Sequence, residues 1–421
     1  MLRFIPYFIV GIITSFYFFP VSFTFLPDNV NTKMILAVIG VALAGYNSIK
    51  EERITIPKGI IIPACIAVIF SIICLISIDI NHSDDYSYAS YIVSFFVWLG
   101  GAYSVCMAIK RVHGVVDFKL LTYYLAGVCL SQCILALMID NIPILQRLVD
   151  SVVRQGQEFL QEVDRLYGIG ASLDPAGVRF SLVLIMIAGL LGNDQETRRN
   201  NLTITLLLIA FFTIAVVGNM ISRTTIIGLG CAVVYFVISS GLFKVLIKYD
   251  AIKLGVLFAI LLFSAIVISV YLYNSSDAFY NYSRFAFEGF FNWAEKGEWR
   301  TSSTDKLNRE MWIWPQDQRT WIIGSGLFDD FIYSTDVGYC RFILYCGLVG
   351  FSVFAFLFVY LGAFFAAKIP KYRIMFLIFI GLTFVVWLKV ATDIFFIYAL
   401  LFCLDQFITP TKEEVSYENS I

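Results

Sequence analysis

The chain has 421 residues, with 30 Lys and Arg against 31 Asp and Glu. Charged residues make up 14% of it, against about 25% in an average soluble domain. Apolar residues make up 59% and aromatics 17%, and mean hydropathy is +0.80. This composition excludes a soluble enzyme, a disordered chain and a secreted disulfide module. The net charge of −1 excludes a nucleic-acid footprint, which needs a basic face. What remains is an all-α polytopic membrane protein.

Met1-Leu2-Arg3 leads directly into an apolar run without a small-residue cleavage site, which reads as a first transmembrane helix rather than a signal peptide. Twelve apolar runs approach the length that crosses a bilayer, about 20 residues each. They are 4–26, 32–49, 59–80, 88–109, 118–139, 178–193, 201–219, 222–242, 252–273, 337–367, 372–388 and 390–409. Two connections are long, 140–177 and 274–336. The chain thus divides into helices 1–5 (1–139), an external segment (140–177), helices 6–9 (178–273), a large external loop (274–336), helices 10–12 (337–409) and a tail (410–421).

Loop charge gives the orientation. The N-terminus and every second loop carry Arg3 and Lys412 and clusters such as Lys50-Arg53-Lys58, Lys110-Arg111-Lys119 and Lys244-Lys248-Lys253. The short loops of the other side carry only Lys33, Arg223 and Lys389. The basic side is expected to be cytoplasmic, with both termini there, and the two long connections then face outward.

Within 142–166, apolar and polar residues separate at helical spacing, so an amphipathic helix on the outer surface is expected. A Gly- and Pro-rich stretch from Tyr167 to Val178 then leads to Arg179 at the start of a span. Arg223 sits in a tight outward turn, Ser222-Arg223-Thr224, between two apolar helices. A large loop, 274–336, follows. It contains five of the seven tryptophans, Trp293, Trp299, Trp312, Trp314 and Trp321, mixed with acids and bases. Flat ring faces cover the C–H face of a pyranose, while carboxylates and guanidinium groups bond its hydroxyls, so Trp293, Trp299, Trp312 and Trp314 are candidate sugar-binding residues. A packed cap with an interfacial aromatic belt is the structural alternative.

The loop ends on Gly324-Ser325-Gly326, then Ser334-Thr335-Asp336-Val337-Gly338-Tyr339-Cys340-Arg341, where Asp336 and Arg341 stand at the membrane boundary. Charges there are costly and either functional or paired, so an Asp336–Arg341 ion pair is the plain alternative. Arg179, Arg223 and Arg341 place three guanidinium groups on one face, and such groups pair bidentately with phosphate oxygens. Glu288, in Arg284-Phe285-Ala286-Phe287-Glu288, has apolar neighbours that would raise its pKa. The nine cysteines form no CxxC pair, and there are only two histidines, so no metal centre is expected. There is no DxD, GxxxxGK[ST], HExxH or GxSxG. An enzyme of this kind would draw on an activated, lipid-linked donor.

Ser222-Arg223-Thr224, the large outer loop, Thr335-Asp336-Val337-Gly338-Tyr339-Cys340-Arg341 and Leu344-Tyr345-Cys346-Gly347-Leu348-Val349-Gly350 together resemble the Wzy-type O-antigen and capsular polysaccharide polymerases, over roughly 165–350. The resemblance implies a GT-C-like helical fold shared with O-antigen ligases and RodA-type polymerases. It implies polymerisation of oligosaccharide units on undecaprenyl diphosphate, serving as both donor and acceptor, at the periplasmic face of the bacterial inner membrane. It also implies no cofactor, and it admits a chain-length regulator as partner. External arginines bind the diphosphates in that family, a role carried over to Arg223, Arg341, Arg179 and Arg284. Asp336 and Glu288 are the candidate catalytic carboxylates, and Tyr339 joins the sugar-binding set. The ligases carry a histidine in the large loop and this chain has none there, which counts against a ligase. A lipid-linked oligosaccharide flippase and a regulatory membrane protein with a sugar-binding loop remain as alternatives.

Overall fold

The structure is a computed structural model that describes residues 4–28, 30–54, 56–156, 160, 165–240, 249–329 and 332–408. The tail 410–421, residues 157–159 and 161–164 of the amphipathic segment, and Arg3, Lys244, Lys248 and Lys412 of the charge bias lie outside the described residues.

Five helices open the chain: α1 (Ile5–Phe18), α2 (Thr32–Lys50), α3 (Ile61–Asn81), α4 (Tyr91–His113) and α5 (Phe118–Asn141). After the short α6 (Pro143–Val152) come α7 (Leu173–Asn193), α8 (Gln195–Arg199), α9 (Asn201–Ile221), α10 (Thr225–Ser240) and α11 (Tyr249–Ser275). Four short helices form a cap over one end: α12 (Asp277–Ala286), α13 (Glu288–Lys296), α14 (Ser302–Glu310) and α15 (Gln318–Ile323). The chain returns through α16 (Gly338–Lys368), α17 (Arg373–Val386), α18 (Phe395–Phe402) and α19 (Asp405–Ile408). Eight of these helices are long and apolar enough to cross a membrane, so the protein is an all-α polytopic membrane protein.

Side-chain caps start many of the helices. Asn31, Asp117, Asn200 and Asp317 each accept a backbone N–H three residues on. Gly114 and Gly297 end α4 and α13 in the left-handed conformation. The centre of the bundle is α7. From Ala176 to Gly192 nearly every residue is buried, with α5, α9, α10 and α17 packed around it. A helix apolar on all sides needs such a position.

Three expected elements differ. The first span ends at Phe18, not 26, because Pro20 and a two-residue strand, Ser22–Phe23, follow. That strand pairs antiparallel with Val153–Arg154, so the amphipathic helix expected over 142–166 stops at Val152 and turns extended. The run 390–409 begins unwound, and α18 has only eight residues, about 12 Å of helix against a hydrocarbon core of about 30 Å. Twelve full crossings are therefore not what these helices provide.

The tenth span has an internal break. Gly347 (φ 65°) interrupts α16, and Gly324 (φ 89°) sits directly against it. A Cβ at either position would overlap backbone of the other segment. The break frees carbonyls of the preceding turn. Leu344 O accepts from Ser325 N (2.7 Å), while Tyr345 O accepts from Gly326 N (3.0 Å) and Ser77 Oγ (2.9 Å). The Gly324-Ser325-Gly326 turn is thus the complement of a broken membrane helix, which satisfies backbone that lipid could not.

Candidate functional site

Charged side chains from seven segments gather under the cap, in four neighbouring groups. The first centres on the α9–α10 turn. Arg223 pairs with Glu288 (2.7 Å), donates from Nε to Phe285 O (2.8 Å) and from Nη1 to Ser303 Oγ (3.1 Å), and lies 3.8 Å from the Phe285 ring centre. Its side chain is only 13% exposed. Glu288 in turn accepts from Ser302 N (2.9 Å). Arg223 therefore fastens the cap to the bundle, and Glu288 is an ion-pair partner rather than a carboxyl in apolar surroundings.

The second group joins α7 to the unwound stretch before α18. Lys389 Nζ lies 2.8 Å from Asp174, which also accepts from Thr224 Oγ1 (2.5 Å) and Ser222 Oγ (3.0 Å). Both hydroxyls flank Arg223 in sequence, so the turn holds one charge pair with its side chains and another with its arginine.

The third group is at the start of α16. The Asp336–Arg341 ion pair, the plain alternative to a functional role, is absent among the described residues. Arg341 instead donates to Phe328 O (2.6 Å) and stacks 3.9 Å from that ring. Asp85 holds the Phe328 segment in place by accepting from Asp329 N (2.6 Å). Asp336 is partly open to solvent, and its carboxylate has no bonded partner among the described residues. Partial burial pushes Asp336 above the usual carboxylate range, and the negative charge of Asp174 adds to the rise. Arg341, Lys389 and Lys306 pull in the other direction.

The fourth group contains Arg179, Lys33 and Asp393. Arg179 sits 4.7 Å from the Phe396 ring centre and 6.0 Å from that of Phe19, and Nη1 donates to Pro175 O (2.8 Å). Lys33 lies 4.3 Å from the Trp98 ring centre. Asp393 accepts from Phe395 N (2.8 Å), and both cations lie within electrostatic reach of it without a direct ion pair. Tyr88 packs 4.7 Å from Phe328 and lies within reach of both Asp393 and Arg341, which links the third and fourth groups.

Arg284 stands apart. It pairs with Glu295 on the cap and lies 4.6 Å from the Phe291 ring centre, so it does not join the other arginines. Tyr339 also leaves the expected set. Its hydroxyl donates to Phe384 O (2.9 Å) and its ring packs on Phe351 and Trp387. The tryptophans do lie on the cap. Trp293 and Trp299 are about 60% exposed, and Trp314 stacks on Trp321 at 5.6 Å with Trp312 beside it at 5.7 Å.

Lys33, Asp174, Lys389 and Asp393 were not singled out as site residues. Two of them left a signal in the sequence: Lys33 and Lys389 are the only lysines in the short loops on the arginine-bearing side. Comparisons with protein families, with characterised proteins and with solved structures return no match.

Proposed function

We propose that the protein is a membrane glycan polymerase. It joins oligosaccharide units carried on undecaprenyl diphosphate, and the capped face is the periplasmic face of a bacterial inner membrane, as the loop lysines and arginines argue. One observation carries the reading. Lys33, Arg179 and Arg341 form no direct ion pair among the described residues and are linked through Asp393 and Tyr88, with Asp336 unpaired beside Arg341. By contrast Arg223, Lys389 and Arg284 are each taken up by an acid.

An acceptor sugar hydroxyl attacks the anomeric carbon of the donor. The new glycosidic bond forms as the bond to the diphosphate oxygen breaks, and the electron pair leaves with the diphosphate. Lys33, Arg179 and Arg341 stabilise that charge, which is electrostatic catalysis by fixed cations. Asp336 orients the hydroxyl and takes its proton late in the transition state. Arg223 acts through Glu288 and Phe285 by holding the cap, with its exposed tryptophans, over the reacting sugars.

The test is complementation of cells lacking the gene, read by glycan gel and by analysis of lipid-linked oligosaccharide. Wild type restores polymer. Arg179→Ala leaves glycan as single units, with polymer down at least about a hundredfold, at unchanged protein level in the membrane. Normal-length polymer from Arg179→Ala removes the reading. In the deletion strain, full-length polymer accumulating on the carrier lipid indicates a ligase, and single units trapped on the cytoplasmic face indicate a flippase.

A further inference from the structure

A polymerase of lipid-linked units handles two carrier lipids at once. The acceptor reacts at the end of its oligosaccharide farthest from its diphosphate, so its anion site must be separate from the one beside Asp336. The bundle has a second place of fitting chemistry.

An apolar groove of about 390 Å³ opens sideways between α5 and α11, floored by α9. Leu137, Phe212, Val216, Ile268 and Phe279 line it. From Phe212 to Met220 it follows about 12 Å of α9. The groove exists because α11 stands off the bundle, with α9, α12 and α8 as its main neighbours and most of its surface bare. At the cap end the groove meets Asp140 and Tyr282, joined by a hydrogen bond from Tyr282 Oη (2.6 Å). The same two residues line a polar pocket of about 290 Å³ that also contains Gln146, Arg165 and Tyr167. Arg165 Nε is buried there with no hydrogen-bond partner among the described residues, and its guanidinium lies 5.0 Å from the Phe285 ring on which Arg223 stacks.

An apolar slot reached from lipid thus leads, past one hydrogen bond, to a guanidinium without an acid partner among the described residues. Another lipid-facing groove, beside α2 and α4, offers no such end, because its Arg53 and Lys110 are paired with Glu51 and Asp405. We propose that the α5–α9–α11 groove holds the isoprene units nearest the head of the acceptor's carrier lipid, with its diphosphate on Arg165. This rests on the polymerase reading. It places acceptor and donor on opposite sides of the Arg223 turn, whose side chains already contact both sides.

Native mass spectrometry of the detergent-purified full-length protein tests this, with undecaprenyl diphosphate as probe and phosphatidylglycerol as comparison. Wild type is expected to bind two undecaprenyl diphosphates in preference to phosphatidylglycerol. Val216→Trp, which fills the groove, keeps one. Arg165→Gln weakens one of the two by about tenfold or more, the worth of a charge-assisted hydrogen bond. Ile238→Trp, on the lipid-facing surface of α10, keeps both. One bound carrier in wild type, or two in Val216→Trp with unchanged affinity in Arg165→Gln, overturns the inference and leaves the polymerase reading standing. Wild type that binds undecaprenyl diphosphate no better than phosphatidylglycerol overturns both.

Discussion

Arg223 and Arg179 carry the same charge in opposite surroundings. Arg223 is saturated by Glu288, Phe285 O and Ser303, whereas Arg179 leans on two aromatic rings and meets Asp393 only at a distance. On the proposed polymerase reading, replacing either is expected to abolish polymer, by different routes. Arg223→Ala releases the cap and leaves Glu288 without its cation. Arg179→Ala leaves the cap seated and removes charge from the leaving-group site. Asp336 is the residue whose chemistry is readable in pH. It works as a base only when ionised, and burial together with Asp174 raises its pKa. Polymerisation by purified protein should therefore lose rate as pH falls, starting above the ordinary carboxylate range. In Asp336→Asn the rate should be low and that acid limb gone; a full rate with an unchanged limb excludes the role. The three arginines and Asp336 were visible in the sequence because charges at the ends of apolar runs are conspicuous. Lys33 and Lys389 show only as lone lysines in their loops, and Asp174 and Asp393 not at all, since these four become neighbours only when α2, α7 and the stretch before α18 are brought together. Glu288 was misjudged because its chain neighbours are apolar while its spatial neighbour is Arg223.

At the scale of elements, hydropathy located a helix in every apolar run because each run is apolar over most of its helix. It could not foresee which helices break. No proline marks the interruption of α16 at Gly347, and Gly347 is one of 28 glycines. The signal lies in a second segment, where Ser325 and Gly326 donate to the freed carbonyls. Gly347→Ala has to accept φ near 65° and overlap the backbone of Ile322. It is expected to destabilise by more than about 1 kcal/mol, measured as an earlier thermal transition of the detergent-solubilised protein. Ala substitution at Gly11, where a Cβ meets nothing, serves as control and should leave the transition in place. If both variants melt like wild type, the break is not held by the turn. The early stop of the amphipathic helix has a similar cause, because the pairing of Ser22–Phe23 with Val153–Arg154 is long-range and leaves no periodic trace.

At the scale of the whole molecule, ion pairs stand at both ends of the bundle. Away from the cap, Asp194 at the end of α7 pairs with Lys371 before α17 and accepts from Thr197. Burial works to raise the Asp194 pKa, but the bonds from Lys371 and Thr197 prevail and bring it down to about 2. A carboxyl with a lower pKa folded than unfolded stabilises the fold at pH values above its unfolded pKa of about 4. That contribution fades as pH falls toward 2. Wild type is thus expected to lose thermal stability over this window more steeply than Asp194→Asn, which starts lower at neutral pH. Parallel curves for the two proteins would show that the pair contributes nothing.

The burial of α7 on all sides also bears on how the protein is made. The chain is synthesised from its N-terminus, so α5 enters the bilayer before its partner α7 exists. The face of α5 that packs on α7 must wait for its partner, and the last flank of α7 is covered only when α17, near the end of the chain, arrives. Enclosure of α7 is therefore a late step of assembly. A ribosome that stalls after the cap releases a product whose most apolar-packed helix still faces lipid on one side, a natural substrate for membrane quality control.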